Sequence, residues 1–470
     1  MAAKLRLLLL SCILAITSIF QMGYTNAYPN TAILSFREYL NESSSNPDGM
    51  SETEYEWMWS AILNIYFVGF AIGSCICANV ADRIGRKWTL FIGNLGNLAS
   101  TLFAISGILT YIPMIFLLSR LVMSLFSGIS MASLILLLQE SAPNEMKGIV
   151  SFNAEMAYVV TNMFGALAGM QNVFGKNLTL LIGISCIPTL FSVLIVLFLH
   201  ESPRYLVLSK NDLKAAVKSL QFYQRLDETA VKLTIDDIKT EGSHKTESTS
   251  LSTMMKTPHL RKGFFLGVTT MQLTTSIFPI VFYSTDFLTR AGTSYDLAES
   301  VSTVMLFVST ISTIVGMGMV ERLPRKWLLI VCAIVNISAL LIFATCAMLQ
   351  TKFTSLSYGC IVALILHGIS YSAGLGPIAW FITSELVPLH CRSLAQSLSL
   401  AINHTIALII TFLTFPLYTI FGPFILVLLF VVPGYFCIIV LIIYLPETRN
   451  VHINDVILKL QGKPTRQGSF

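Results

Sequence analysis

The chain has 470 residues, of which 54% are hydrophobic and 12% charged. A soluble domain carries about 25% charged residues because its surface is wet, so this composition excludes a soluble multidomain protein and points to a lipid bilayer. The net charge of +5 is too small to suggest a nucleic-acid partner; a modest basic excess is what the cytoplasmic loops of a membrane protein supply.

In chain order, Lys4 and Arg6 precede an apolar run over 7–20, which has the outline of a signal peptide. Gln21-Met22-Gly23-Tyr24 then leads into more membrane rather than to a cleavage site, so the run reads as a first spanning helix, 6–26. A polar stretch over 27–57 holds Glu38, Glu42, Asp48, Glu52, Glu54 and Glu56 against a single base, Arg37. Five more apolar runs follow at 58–80, 88–110, 112–138, 149–170 and 178–199. Residues 200–262, rich in Lys, Arg, Ser and Thr, read as a cytoplasmic linker of amphipathic helices with a flexible tail. Six further runs lie at 263–285, 299–319, 327–348, 357–384, 394–419 and 423–445. Each is long enough for the hydrocarbon core, which takes about 20 residues of helix. Gly374, Gly376 and Pro377 break the tenth run, and a break is tolerated where neighbours or a cavity satisfy the freed backbone. That break therefore points inward. The expected organisation is an all-α protein: a six-helix bundle over 1–199, the linker 200–262, a second bundle over 263–446 and a cytoplasmic tail over 447–470.

With the N-terminus inside, only Arg37, Lys176, Arg290 and Lys352 fall in external connections, as the positive-inside rule requires. Both ends are then cytoplasmic. Asn41-Glu42-Ser43 is a glycosylation sequon placed in the first external loop, and with no obvious retention signal it favours the plasma membrane. The nine cysteines include Cys12, Cys75, Cys77, Cys186, Cys332, Cys346 and Cys437 inside apolar runs. None is spaced for zinc. No metal, cofactor, nucleotide motif or enzymatic chemistry is expected.

Charged motifs recur between the halves. Asp82-Arg83-Ile84-Gly85-Arg86-Lys87 follows the second span, and Glu321-Arg322-Leu323-Pro324-Arg325-Lys326 follows the eighth, roughly 240 residues later. Glu140 precedes Lys147 by the spacing at which Glu385 precedes Arg392. Glu201-Ser202-Pro203-Arg204 closes the sixth span and Pro446-Glu447-Thr448-Arg449 the twelfth. Parallel six-helix repeats are a common plan of secondary transporters. Charges that merely fixed topology would explain the bases, but not their acidic partners.

These motifs, together with Gly376-Pro377-Ile378-Ala379-Trp380-Phe381, resemble the sugar porter branch of the major facilitator superfamily, which contains the facilitative glucose transporters. The resemblance covers almost the whole chain. It implies two six-helix bundles around a central cavity, alternating access, and a small-molecule substrate, a sugar or sugar-like solute. It implies that acidic and basic residues pair across the bundles at the cytoplasmic face and part when the protein turns inward. Asp82, Arg83, Arg86, Glu140, Lys147, Glu201 and Arg204 would form one gate cluster; Glu321, Arg325, Glu385, Arg392 and Glu447 would form its twin. Lys147 stands where the family usually has Arg, and an ammonium lacks the planar fork for a bidentate pair.

The resemblance also marks departures at the substrate site. Gln272 is kept in the seventh helix, but the second Gln has become Leu273 and an Asn has become Phe278. The Gln of helix five falls at Glu155, the Asn of helix eight at Ser309 and the Glu of helix ten at Ser372. Asn403 is kept, a further Asn is replaced by Ala407, and Trp380 remains where the family stacks and gates. Each lost hydrogen bond to a buried hydroxyl costs about 1 kcal/mol or more. Three readings stay open: a hexose-like substrate, a different small organic solute, or a sensor that does not transport. Glu155 is an intramembrane acid, a functional hypothesis by default, and Arg120 is its expected partner in the cavity. The Asp that faces this Arg in proton-coupled sugar porters reads Thr25, so passive uniport is expected. His367 is expected to make a helix-to-helix hydrogen bond, with His404 at the cavity edge.

Overall fold

In hydrocarbon every backbone N–H and C=O must be bonded within its own segment, and the apolar runs answer this by coiling into α-helix. The computed structural model describes residues 2–44, 49–143, 146–243, 251–449, 451 and 453–462. The helices of the first half are α1 Ala2–Thr31, α2 Ile33–Glu42, α3 Glu52–Ile84, α4 Arg86–Leu109, α5 Pro113–Ser141, α6 Lys147–Gly169, α7 Leu178–Gly183 and α8 Cys186–Phe198. Three short ones follow, α9 Pro203–Leu208, α10 Leu213–Gln224 and α11 Glu228–Ser243. The second half has α12 Leu251–Lys256, α13 Pro258–Gln272, α14 Ile277–Arg290, α15 Tyr295–Arg322, α16 Arg325–Leu349, α17 Leu356–Ser370 and α18 Gly376–Leu386. It ends with α19 Leu389–Phe421, α20 Phe424–Leu426, α21 Val432–Tyr444 and α22 Ile453–Leu460.

Among the described residues, 11 helices are long and apolar enough to cross a membrane, and α6 occupies the place of the remaining span. The chain is an all-α integral multi-pass membrane protein of twelve transmembrane helices. It divides into two compact units, Met1–Lys245 and Thr246–Phe470. Large apolar side chains such as Ile187, Phe198 and Phe436 are exposed on the spans, as contact with lipid allows.

Lipid tails compete for apolar surface as well as leucine does, so helices in a bilayer associate through small residues and polar contacts. In the first unit, α1 and α6 meet at Gly23, Gly165 and Gly169, where an added Cβ would strike Thr161, the Tyr24 carbonyl and Thr31. Gly69 and Gly73 of α3, with Gly128 of α5, do the same for that pair. Asn94 of α4 then ties four helices together. Its Nδ2 donates to Ser192 Oγ at 2.8 Å and to Ser18 Oγ at 3.2 Å, and its Oδ1 accepts from Ser130 Oγ at 2.6 Å. One turn further on, Gln21 donates to Thr101 and accepts from Thr189.

Three regions differ from the sequence expectation. The stretch after the first span, expected to be polar from residue 27, is helical to Thr31 and again over α2. The reason is aromatic packing: the Phe36 ring lies 5.4 Å from Trp59 and 5.5 Å from Phe116, and Tyr39 OH donates to the Gly107 carbonyl at 2.9 Å. The tenth span is not broken at its glycines. It runs through a π-helical turn, Tyr371–Leu375, into α18. The interruption falls instead in the seventh span at Leu273–Ser276, where Thr274 and Thr275 turn their hydroxyls back onto the carbonyls of Met271 and Gln272 at 2.7 and 2.8 Å. Such local bonds compete with the helical ladder.

The stretch expected to be one linker is shared between the units. α9, α10 and α11 bury Leu206, Ala216, Leu220 and Val231 together, and Gln224 donates to the Ser141 carbonyl at 3.0 Å. Met254 of α12 is buried with Leu260, Phe264 and Val387. The flexible tail expected within this stretch falls on 244–250, outside the described residues, as do 450, 452 and 463–470 of the expected C-terminal tail. Replacing Asn94 by Leu strips three serines of their shared partner and should lower stability by about 1–2 kcal/mol. Thermal unfolding of the purified protein in detergent measures this; an unchanged Tm would remove the polar node from the account.

Candidate functional site

The first four N–H groups of a helix have no intrahelical acceptor and attract an anion. At the start of α4 that anion is Glu201. Its carboxylate accepts from the backbone N–H of Arg86 at 2.9 Å and of Lys87 at 3.0 and 3.2 Å, and from the Ser202 N–H at 2.8 Å. Gly85, at φ +99°, makes room: a Cβ there would overlap the Glu201 carboxylate. With the backbone of Arg86 so fixed, its guanidinium meets Glu140 at 3.0 Å and Asp82 at 3.2 Å and lies over the Tyr205 ring at 5.1 Å. Arg86 and Glu140 are only 12% and 13% exposed, so this pair is sheltered, whereas Asp82 is 73% exposed.

The second unit repeats the arrangement. Glu447 accepts from the N–H of Arg325 at 2.9 Å, of Lys326 at 3.1 Å and of Arg449 at 2.9 Å. The Arg325 guanidinium pairs with Glu385 and lies 5.0 Å from the Phe381 ring centroid. Even the lysines correspond: Lys87 Nζ donates to the Leu197 carbonyl at 3.0 Å and Lys326 Nζ to that of Ile442 at 2.9 Å. Pro324, at φ −59°, replaces Gly85 in this half, so the turn before the helix is built differently although the carboxylate seat is the same.

The other expected members are placed differently. Arg83 contributes its backbone carbonyl, which accepts from Tyr205 OH at 2.9 Å. Lys147 and Arg204 lie in the first turns of α6 and α9. Glu321 is exposed and makes no ion pair among the described residues. Arg392 does not reach Glu385; its Nε is buried without a hydrogen-bond partner among the described residues. Two members went unseen in the sequence. Tyr205 supplies the ring under Arg86, and Ser202 bonds Glu140 while its Oγ caps α9 by accepting from Tyr205 N. Ser202-Pro203 at a helix start was the available signal, since Ser favours the N-cap and Pro the first helical position. Beside them, burial first and then Lys87 and Lys218 hold the His200 imidazole below its ordinary pKa.

The expected Glu155–Arg120 pair is absent. Arg120, 4% exposed, donates from Nε to the Ile62 carbonyl at 2.7 Å and from Nη1 to the Thr25 carbonyl at 3.1 Å. Its fork is engaged on α1 and α3 rather than on α6. Glu155 is half-buried and makes no ion pair among the described residues.

In the second unit the seventh-span break is braced from α19. Asn403, fully buried, donates to the Met271 carbonyl at 2.7 Å, while its Oδ1 has no donor among the described residues. The Oε1 of neighbouring Gln272 is likewise buried without a donor. Trp380 is half-buried, its ring edge-on to His404 at 6.0 Å and its carbonyl accepting from Gln396 at 2.6 Å. Phe278 is half-buried, whereas Ser309 and Ser372 are nearly closed off, at 6% and 7% exposure. His367 bridges helices as expected: its Nε2 lies 3.1 Å from Ser276 Oγ at the break. Asn41 is exposed at the end of α2, as a glycan acceptor must be.

Comparison with known proteins bears on the whole chain. The sugar (and other) transporter family matches residues 10–457. The facilitated trehalose transporter Tret1 of Apis mellifera ligustica is 28% identical over 454 residues, covering 95% of this chain and 87% of that one. Facilitated glucose transporter member 7 of solute carrier family 2 from Mus musculus is 26% identical over 86% of this chain and 80% of its own length. Member 5 from Homo sapiens is 25% identical over 97% and 92%. Among solved structures, the inward-open xylose transporter XylE from E. coli superposes with a TM-score of 0.76 at 16% identity, over 95% of this chain and 98% of that one; it shows the major facilitator fold. These relatives are transporters, not enzymes. The chain belongs to the sugar (and other) transporter family.

Proposed function

We propose that this protein is a facilitative transporter of a hexose or related small hydroxylated solute, working by alternating access in the plasma membrane with both termini in the cytoplasm. The observation that carries this reading is that two of the several buried carboxamide oxygens without a donor among the described residues, Gln272 Oε1 and Asn403 Oδ1, lie together beside the seventh-span break. A buried acceptor is nearly always satisfied, and a solute hydroxyl, which donates and accepts at once, satisfies it. Trp380 offers an apolar ring for the face of a sugar. Leu273, Phe278 and Ala407 favour a solute with fewer hydroxyls, or contacts distributed differently, than glucose meets in the family pattern. Uptake of a labelled solute panel into proteoliposomes tests this. A sugar or polyol should accumulate to equilibrium, and Trp380→Ala should lower its initial rate more than tenfold. Sugar binding without flux would instead make the protein a sensor.

The twin clusters serve as the cytoplasmic gate in this reading. Exposed ion pairs contribute only about 0–1 kcal/mol each, but a network that is more favourable in one conformation than in the other needs only a few kcal/mol to bias a two-state equilibrium.

A proton-linked mechanism is the second reading, favoured by Glu155, whose carboxyl is free of any ion pair among the described residues. We hold to uniport, with Glu155 as a hydrogen-bonding group in the place of the family glutamine. Uptake should then be indifferent to an imposed pH gradient. Glu155→Gln should keep activity within about threefold, while Glu155→Ala, losing a hydrogen bond to solute, should drop about tenfold. Accumulation driven by an inward proton gradient, abolished in Glu155→Gln, would establish the proton-linked reading.

A further inference from the structure

Where α13 begins, its surface and those of α21 and α22 enclose a groove of about 770 Å³. The groove has two chemistries. Arg261, Lys262 and His259 stand on the first turns of α13, and Phe265, Leu266 and Val440 continue the wall as hydrocarbon. Among the described residues no acidic side chain lines it, and neither Arg261 nor Lys262 has a carboxylate partner. The Lys262 ammonium lies 5.1 Å from the Tyr444 ring centroid. Phe265 and Tyr444 are each 52% exposed, so aromatic surface faces outward beside the charge at the end of two spanning helices. The C-terminal helix closes one side: Leu460 is buried, and Gln461 Nε2 lies 3.4 Å from His259 Nδ1.

Basic side chains at the end of a membrane span, continuous with an apolar wall running along that span, match one molecule in chemistry and orientation. Its anionic phosphate sits at the headgroup level and its chains lie along the helix. Basic pockets between spanning helices on the cytoplasmic side are where anionic headgroups bind. A soluble phosphate ester would use the basic mouth and leave Phe265 and Val440 uncovered. We propose that this groove is a binding site for an anionic phospholipid of the adjacent leaflet, its phosphate held by Arg261 and Lys262 and one chain laid along Phe265 and Val440, and that the lipid fastens α22 to α13.

The test uses the full chain purified in a neutral detergent, titrated with phosphatidic acid or chain-matched phosphatidylcholine, with bound lipid counted by native mass spectrometry. Phosphatidic acid should be retained in preference to phosphatidylcholine. Arg261→Ala with Lys262→Ala should weaken that retention about thirtyfold, each basic residue contributing roughly fivefold. Arg261→Lys with Lys262→Arg should restore it, and Lys352→Ala should leave it unchanged. Equal retention of the two lipids, undiminished retention in the double alanine variant, or displacement by glycerol phosphate at the same concentration as lipid would overturn the proposal.

Discussion

A helix that starts at a membrane surface has N–H groups to satisfy before its own carbonyls come into register, and in this molecule the solution comes from far along the chain. Glu201 takes up the first N–H groups of α4, and Glu447 takes up those of α16. Hydrogen bonds to a charged acceptor are worth about 1.5–3 kcal/mol each when buried and less at a wet edge. Several on one carboxylate are enough to fix where the sixth and twelfth spans end. The rest of each cluster follows from that fixation. Arg86 and Arg325 leave their helices at set points, so their guanidinium groups meet Glu140 and Glu385 on neighbouring spans and lie over Tyr205 and Phe381. Each cluster forms within one bundle, from that bundle's own helices.

The same demand for satisfied polar groups organises the interior. Glycines bring backbones close, and Asn94 and Gln21 consume the serine and threonine hydroxyls thereby buried. Arg120 donates to backbone carbonyls of α1 and α3, which makes it a brace for α1, α3 and α5 rather than a partner for Glu155. Several buried polar atoms lack a partner among the described residues, and two of them share one place in the fold. Gln272 and Asn403 keep buried acceptors open beside the break in the seventh span. The protein maintains that break by letting Thr274 and Thr275 donate to the carbonyls of Met271 and Gln272 and by bracing Met271 from Asn403. Rigid surroundings with a few open acceptors suit recognition of a hydroxylated solute.

The helices were legible because apolar runs of spanning length have few alternatives, and the twin clusters were legible because charge at a helix end is conspicuous in an apolar chain. Which residues would actually touch was not. Arg392 repeats the spacing of Lys147 but stays away from Glu385, since spacing along the chain fixes a helix end and not the direction of a side chain. The Glu155–Arg120 pair failed because sequence reveals charges and conceals the backbone carbonyls that compete for them. The tenth-span glycines looked like a break but support a π-turn packed closely on its neighbours: a Cβ on Gly374 would lie 2.8 Å from Cys332 Sγ. The seventh-span break was missed because threonines are read as weak helix formers, not as residues that bond their own backbone in an apolar setting.

The central claim is that charge complementarity within each seated cluster sets the conformational balance on which transport depends. The most direct measurement is initial solute uptake into proteoliposomes, per folded molecule, for Arg325→Glu, Glu385→Arg and the two combined. Each single reversal places like charges together and should reduce uptake more than tenfold, and the exchanged pair should recover a substantial part of the wild-type rate. A double variant that folds yet is as inactive as either single one would contradict the account.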